Sequence, residues 1–389
     1  MWNVSSYRYD EFLVDFENVD RSKLPGIGYR IDRLRAVPLV AYVVLFIVGV
    51  FGNVWVTCVI GCIIGRSSTR APRSVQVYIL ALCCCDLVVL IFSLALIVDL
   101  FYGEWLVESK FLCLLYLSSE SLNKFCSPFL LVALSYFCYA KICRPTGHSS
   151  FPSASSSAGQ YQFFDGDIRS TTLVALACVV LSFVALTPVY IYGDLHFIVY
   201  ENHSKLLDII TKCAFEPNDP NVLTIFTIYG FALGYAAPTL MFTCFHAAIV
   251  WRVHRQQAVR TNMTKRATAK FLRVTRTIMG LVIFYIVCWS PYWSLILYQA
   301  VTPLEGQGEL SDVGVVATYF IHMLPYINCT GYPIIYTLAN RDIREAYSRV
   351  KAKREASRLF CCKNGSVSNN EKRSASKASK DDLNESTLL

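Results

Sequence analysis

Three ionisable side chains stand inside otherwise apolar sequence, and they bound the chemistry this chain can do. Asp86 interrupts the run from Val75 to Val98, and Glu120 with Lys124 interrupt the run from Phe111 to Ala140. A charge in such a setting is costly unless it faces a cavity, a cation or a partner. Asp86 therefore reads in two ways: a sodium or proton site, or a carboxylate hydrogen-bonded to Asn53, Ser127 and Asn328 that only holds helices together. Glu120 and Lys124 are four apart with the acid first, the better orientation for an ion pair on one helix face. Such a pair satisfies itself internally, or it is opened by a ligand whose cation displaces Lys124 or whose acid bridges to it. Both chemistries are binding. Catalysis is not indicated, since the six His lack metal-ligand spacing and no phosphate-cradling Gly loop occurs.

Aromatic residues extend the binding reading. Trp289, Tyr292, Trp293, Tyr298, Tyr319 and Tyr326 crowd the outer parts of two later apolar runs. Trp and Tyr at headgroup level belong to an interfacial belt. Trp289 and Tyr292 lie two or more turns deeper than that and are expected on a pocket floor, next to a kink at Pro291 that lets the inner half of the helix swing.

The elements that must position these residues follow from composition. Of 389 residues, 54% are apolar, 14% aromatic and 16% charged, too apolar for a set of soluble domains. Charge-free stretches run from Ala36 to Gly65, Ser170 to Gly193, Pro220 to Trp251, Thr277 to Leu304 and Val313 to Asn340. Each exceeds the roughly 20 residues that a helix needs to cross a bilayer. With the two interrupted runs they make seven crossings, all helical because backbone groups in lipid must bond internally. The fold class is an all-α seven-transmembrane bundle. Pro128, Pro188, Pro238, Pro291 and Pro333 fall within the spans and are tolerated where neighbours satisfy the carbonyls they free.

Orientation comes from basic residues. With the N-terminus outside, 9 Lys and Arg fall in outer segments and 26 in inner ones, which places the C-terminus in the cytoplasm of a plasma-membrane protein. Residues 1–37 are then an extracellular segment. Met1 to Asp20 lacks an apolar region, so span one is expected to serve as its own anchor. Of 16 Cys only Cys113 and Cys213 fall at outer surfaces, which predicts one disulfide between them. Asn3 and Asn202 start outer glycosylation triplets, whereas Asn262, Asn328, Asn364 and Asn384 match by chance. Leu195 to Tyr200 and Leu207 to Ala214 flank a polar turn and read as a hairpin over the outer face.

On the inner side, Arg252 to Arg276 holds eight basic residues and no acid, suited to anionic lipid or an acidic protein surface. Residues 38–338 form the bundle. Residues 339–362 follow it, with Ile343, Tyr347 and Val350 spaced for a short amphipathic helix and Cys361 and Cys362 at palmitoylation distance. Gly147 to Gln160 is Ser-rich, and the tail 363–389 is polar and disordered by composition. It ends Ser386-Thr387-Leu388-Leu389, which suits strand addition to a PDZ domain.

Ordered motifs on these helices carry a family resemblance. Gly52-Asn53 stand in span one, Leu82 and Asp86 in span two, and Trp105 precedes Cys113. Pro238 stands in span five, Cys288-Trp289-Ser290-Pro291 in span six, and Pro333-Ile334-Ile335-Tyr336 in span seven. From about Pro38 to Tyr347 the chain resembles rhodopsin-type G-protein-coupled receptors. Within them, Val274-Thr275-Arg276, the run Phe284 to Trp289 and an acid at Glu120 resemble peptide receptors of the somatostatin, opioid and allatostatin-C kind. The resemblance implies an extracellular neuropeptide ligand and an inhibitory-class heterotrimeric G protein, with arrestin as a further inner partner. It implies ligand contact by Glu120, Lys124, Trp289, Tyr292, Tyr319 and Tyr326. It also implies a small sodium pocket of Asp86, Asn53, Asn123, Ser127 and Asn328, and an activation face of Cys138, Tyr139, Arg276, Pro291 and Tyr336.

Three departures bear on signalling. Phe137-Cys138 replace the family's charged acid–Arg pair after span three, Tyr332-Pro333 replaces Asn-Pro, and Val179 stands where span four normally has Trp. An atypical relative with altered or absent coupling is the alternative within this fold. A retinal pump would need a Lys in span seven, which has none. A membrane transporter would need repeated halves with broken helices, and no such repeat is present.

Overall fold

A computed structural model describes residues 27–64, 72–102, 109–143, 168–201, 207–215, 220–256, 262–301 and 312–339. The expected glycosylation sites Asn3 and Asn202, the Ser-rich stretch 147–160, the amphipathic helix after span seven, Cys361, Cys362 and the terminal Ser386 to Leu389 lie outside the described residues.

Among the described residues seven helices are long and apolar enough to cross a membrane. Span one is Ile27–Ile64, span two Arg73–Tyr102 and span three Lys110–Cys143. Span four is Ile168–Ala185 followed by the short helix Thr187–Tyr192. Span five runs as Pro220–Phe231 and Ala237–Gln256 around a π-turn at Ala232–Ala236. Spans six and seven are Asn262–Val301 and Asp312–Ala339. Span three is the central helix, packing on spans two, four, five and six. The pattern is inside-out relative to a soluble core. Phe51, Leu173, Val180 and Val287 are more than 45% exposed, while Asn53, Asp86, Ser127 and Asn328 are fully buried. Apolar surface facing outward is what a lipid solvent requires.

The interior prolines show how the bundle pays for missing N–H donors. A proline leaves the carbonyl four residues earlier without its helical partner. At Pro188 that carbonyl is Val184, and the Thr187 hydroxyl donates to it at 2.7 Å, where the helix breaks and restarts. At Pro238 it is Gly234, in the π-turn, which accepts the Tyr285 hydroxyl from span six. At Pro333 it is Cys329, which accepts Asn53 Nδ2 from span one at 3.1 Å. At Pro128 it is Lys124, whose carbonyl oxygen lies against Gly234; a Cβ there would stand 2.6 Å from it. Only a glycine lets span five seat this close. At Pro128, Pro238 and Pro333 the freed carbonyl is thus also a joint between spans, whereas at Pro188 it is satisfied within span four.

Strands β1 (Gly193–Glu201) and β2 (Leu207–Phe215) form an antiparallel hairpin in the register Leu195↔Cys213 and Phe197↔Thr211. Cys213 is bonded to Cys113 at the start of span three, with Cα atoms 5.5 Å apart. Lys212 pairs with Asp99 on span two at 2.6 Å, and Asp194 pairs with Lys110 at 2.6 Å. The hairpin is therefore tethered to both helices at one end of the bundle.

Candidate functional site

Four helices, spans two, three, six and seven, converge on a cavity below the hairpin. Glu120 and Lys124 lie seven and eleven residues along span three from Cys113, about 10 and 16 Å deep at 1.5 Å per residue. Span six reaches the same depth from Val301 with Tyr292 and Trp289, about 14 and 18 Å down. Span seven brings His322, Pro325 and Tyr326, and Val89 and Asn123 complete the wall of a narrow space.

The two charges on the wall do not pair with each other. Among the described residues Glu120 and Lys124 close no ion pair; the Tyr116 hydroxyl faces Glu120, and Lys124 faces Tyr292. The Lys124 Nζ stands 5.6 Å from the Tyr292 ring centroid. Four-residue spacing put both side chains on one helix face, but aromatic hydroxyls on span three itself and on span six compete for them.

Tyr292 is the hub of an aromatic floor. It meets Trp289 edge-on at 5.4 Å, Trp293 at 5.6 Å and His322 at 5.6 Å. Such pairs add about 0.5–1.5 kcal/mol each beyond area burial. Trp293 packs on Phe231 of span five over Gly230. Tyr326 lines the cavity and stacks edge-on with Tyr42 of span one at 5.3 Å. Tyr319 lies beside the cavity wall, in a cluster with Tyr42, Leu90 and Met323. Tyr298 is 61% exposed and faces outward, as a belt residue does.

Trp289 is fully buried, and its Nε1 donates to Asn328 Oδ1 at 3.4 Å, which links this floor to a second polar layer beneath it. There Asn123 Nδ2 donates to the Cys329 sulfur at 3.0 Å and Ser127 Oγ to Asn123 Oδ1 at 2.5 Å. Asn53 is committed to the carbonyls of Gly49 and Cys329. Asp86 is wholly buried in this layer, and neither of its oxygens has a hydrogen-bond partner of ordinary geometry. The Cys329 thiol is the group that faces it. A carboxylate with two open oxygens beside hydroxyl and amide oxygens is a donor set that fits a hard monovalent cation.

At the opposite end of span three the contacts are neutral. Cys138 is fully buried and faces Thr275 on span six, whose hydroxyl has no hydrogen-bond partner. Ser135 lies 3.4 Å from His246 Nε2 on span five, and Tyr139 stacks on Phe245 at 5.4 Å. Tyr336 is buried, while Arg276 is exposed. Pro291 lies inside span six, where Ser290 Oγ back-bonds the Ile286 carbonyl at 2.5 Å and meets Tyr235 at 2.6 Å.

The cavity thus brings together Glu120, Lys124, Trp289, Tyr292 and Tyr326, and leaves Tyr319 to one side. Sequence reasoning missed His322, Cys329 and Tyr116. His322 carried a usable signal, an ionisable ring one turn before Tyr326 in a charge-free span. Cys329 carried none, because a small apolar residue there is equally a packing residue.

Comparison with known proteins places this geometry. A family model described as 7 transmembrane receptor (rhodopsin family) matches residues 52–336. The chain is 28% identical over 318 residues to the probable G-protein coupled receptor npr-29 of Caenorhabditis elegans, covering 80% of this chain and 74% of that one. It is 25% identical to neuropeptide receptor 18 of the same organism, over 79% of this chain and 65% of the relative. It is 24% identical to somatostatin receptor type 3 of Rattus norvegicus, over 79% and 67% respectively.

Proposed function

The chain belongs to the rhodopsin family of seven-transmembrane receptors, and on that premise we propose that it is a plasma-membrane receptor that binds an extracellular peptide and activates inhibitory-class heterotrimeric G proteins. The observation that carries this reading is the cavity under the hairpin, where Glu120 and Lys124 stand apart from each other over an aromatic floor. A hairpin pinned across one edge leaves a groove in which an extended peptide lies, with its tip in the cavity. The relatives named for neuropeptides and somatostatin support the same ligand class. The N-terminus is outside in this reading, which the basic-residue bias favours and which puts Cys113–Cys213 on the oxidising side.

The ligand's signal passes through Trp289. Its contact with Tyr292 above and Asn328 below joins the cavity to the layer around Asp86, and a shift of span six about Pro291 is the two-state element that binding biases. Asp86, Asn123, Ser127 and Asn328 would hold a sodium ion in the resting bundle, where it would supply a counter-charge that favours that state.

A second reading rests on Cys138. It stands, neutral and fully buried, where the family has Arg, so basal activity is raised or coupling is weakened relative to the family pattern. One experiment addresses both readings. Cells expressing the full chain are screened with amidated and disulfide-cyclised neuropeptides for G-protein activation, alongside Glu120→Gln. Activation by a peptide that Glu120→Gln weakens supports the receptor reading. High basal signalling that no peptide modulates would favour the second.

A further inference from the structure

The cavity floor holds a cation without an anion. Lys124 lies over the Tyr292 ring, its Nζ 5.6 Å from the centroid, and closes no ion pair among the described residues. Glu120, the carboxylate on the wall, faces the Tyr116 hydroxyl. On the same Tyr292 ring, His322 packs edge-on, and its buried Nε2 has no hydrogen-bond partner. An ammonium held in a water-poor, aromatic setting is costly until an anion meets it, and charge-assisted bonds there are stronger than neutral ones. A cation and an unpartnered ring nitrogen on one tyrosine offer two contacts to a carboxylate, with His322 Nε2 a donor when it carries the imidazole proton.

We propose that the floor of the cavity is a carboxylate subsite, in which Lys124 Nζ and His322 Nε2 take the two oxygens of an acidic group on the ligand while Glu120, one turn nearer the hairpin, remains open to a cation. This rests on the cavity being the ligand site. The space between these side chains is narrow and takes a single small group, not a whole peptide. The acid therefore belongs to the ligand's tip: a free C-terminal carboxylate or the side chain of an Asp or Glu beside it. Glu120 is the competing occupant, since a rotation away from Tyr116 would bring it back toward Lys124.

The test uses full-length receptor in detergent and synthetic N-acetylated pentapeptides whose last two residues are all pairs of aromatic and aliphatic types. Each is made as C-terminal acid and as amide, and a second set carries Glu or Gln at the penultimate position. Binding is read by thermal stabilisation across a concentration series. The expected result is that acid forms bind roughly ten- to hundredfold tighter than their neutral counterparts. The two sets tell a terminal carboxylate from a side-chain one. Lys124→Gln brings acid binding down to the level of the neutral peptide, Lys124→Arg keeps the preference within a few-fold, and His322→Phe loses part of it. Undiminished binding of neutral peptides by Lys124→Gln reports that the variant is folded. Peptides that bind with no acid preference, or a preference that survives Lys124→Gln, overturn the subsite and leave the receptor reading standing. No binding by any peptide of either form overturns both.

Discussion

The two ends of span three are held by different physics. At the hairpin end Cys113 is covalently bound to Cys213, Lys110 pairs with Asp194, and Lys212 carries the hairpin across to Asp99 of span two. At the other end Ser135 meets His246 and Tyr139 stacks on Phe245, with no ionised group on span three among these contacts. A disulfide cannot exchange partners during a conformational change. A neutral hydrogen bond nets about 1 kcal/mol and strands no charge when it opens. The fixed end shapes a cavity, and the loosely held end is where spans five and six can change their hold on span three.

The largest effect expected from this contrast is at the disulfide. Cys213→Ser removes a cross-link closing 100 residues of sequence, and loss of such a bridge costs about 2–5 kcal/mol. Thermal unfolding of the purified receptor should show it as a large loss of stability, together with reduced surface expression. Unchanged stability would mean that the two ion pairs and the strands alone hold the hairpin, and the contrast between the ends would collapse.

At the opposite end Ser135→Ala should cost about 1 kcal/mol of whichever state keeps the bond to His246. If that is the resting state, basal G-protein activation rises several-fold while stability falls little. His246→Phe should give the same direction, and the double variant no more than either single one, because both remove one shared contact. Additive effects would show that the two residues act separately and that Ser135–His246 is no latch.

How much of this was legible in the sequence varies with how local the cause is. The seven spans follow from the length of charge-free runs, and the bridge from where two of 16 Cys fall once the crossings are counted. The hairpin, read at Leu195 to Tyr200 and Leu207 to Ala214, extends by two residues or fewer at each strand end. Prolines were visible as kinks, but not their outcomes. Pro188 ends a helix, Pro238 follows a π-turn, and Pro128 and Pro333 sit in unbroken helices. The difference lies in which neighbour reaches the freed carbonyl: Thr187 does so locally within span four, whereas Tyr285, Asn53 and the bare backbone of Gly234 are tertiary partners. The same limit governs the charged residues. Spacing brings Glu120 toward Lys124, yet Tyr116 and Tyr292 decide where each side chain goes.

The smallest effect belongs to the pair Lys110–Asp194. The Lys110 ammonium, 2.6 Å away, holds the Asp194 carboxyl below the usual carboxylate range. Both side chains are about half exposed, so water and salt screen the pair to a few tenths of a kcal/mol. The sign is fixed by linkage. A depressed folded-state pKa contributes stability that is present above the unfolded carboxylate value near 4 and is lost as pH falls through the lower folded value. The difference in unfolding temperature between wild type and Asp194→Asn should therefore be small and flat from pH 7 to about 5, and then vanish at lower pH. It should also shrink in about 1 M salt, where the Debye length is near 3 Å. A difference that matched the loss seen in Cys213→Ser, or that persisted at acid pH and high salt, would mean that charge and not the covalent bridge fixes this end of span three.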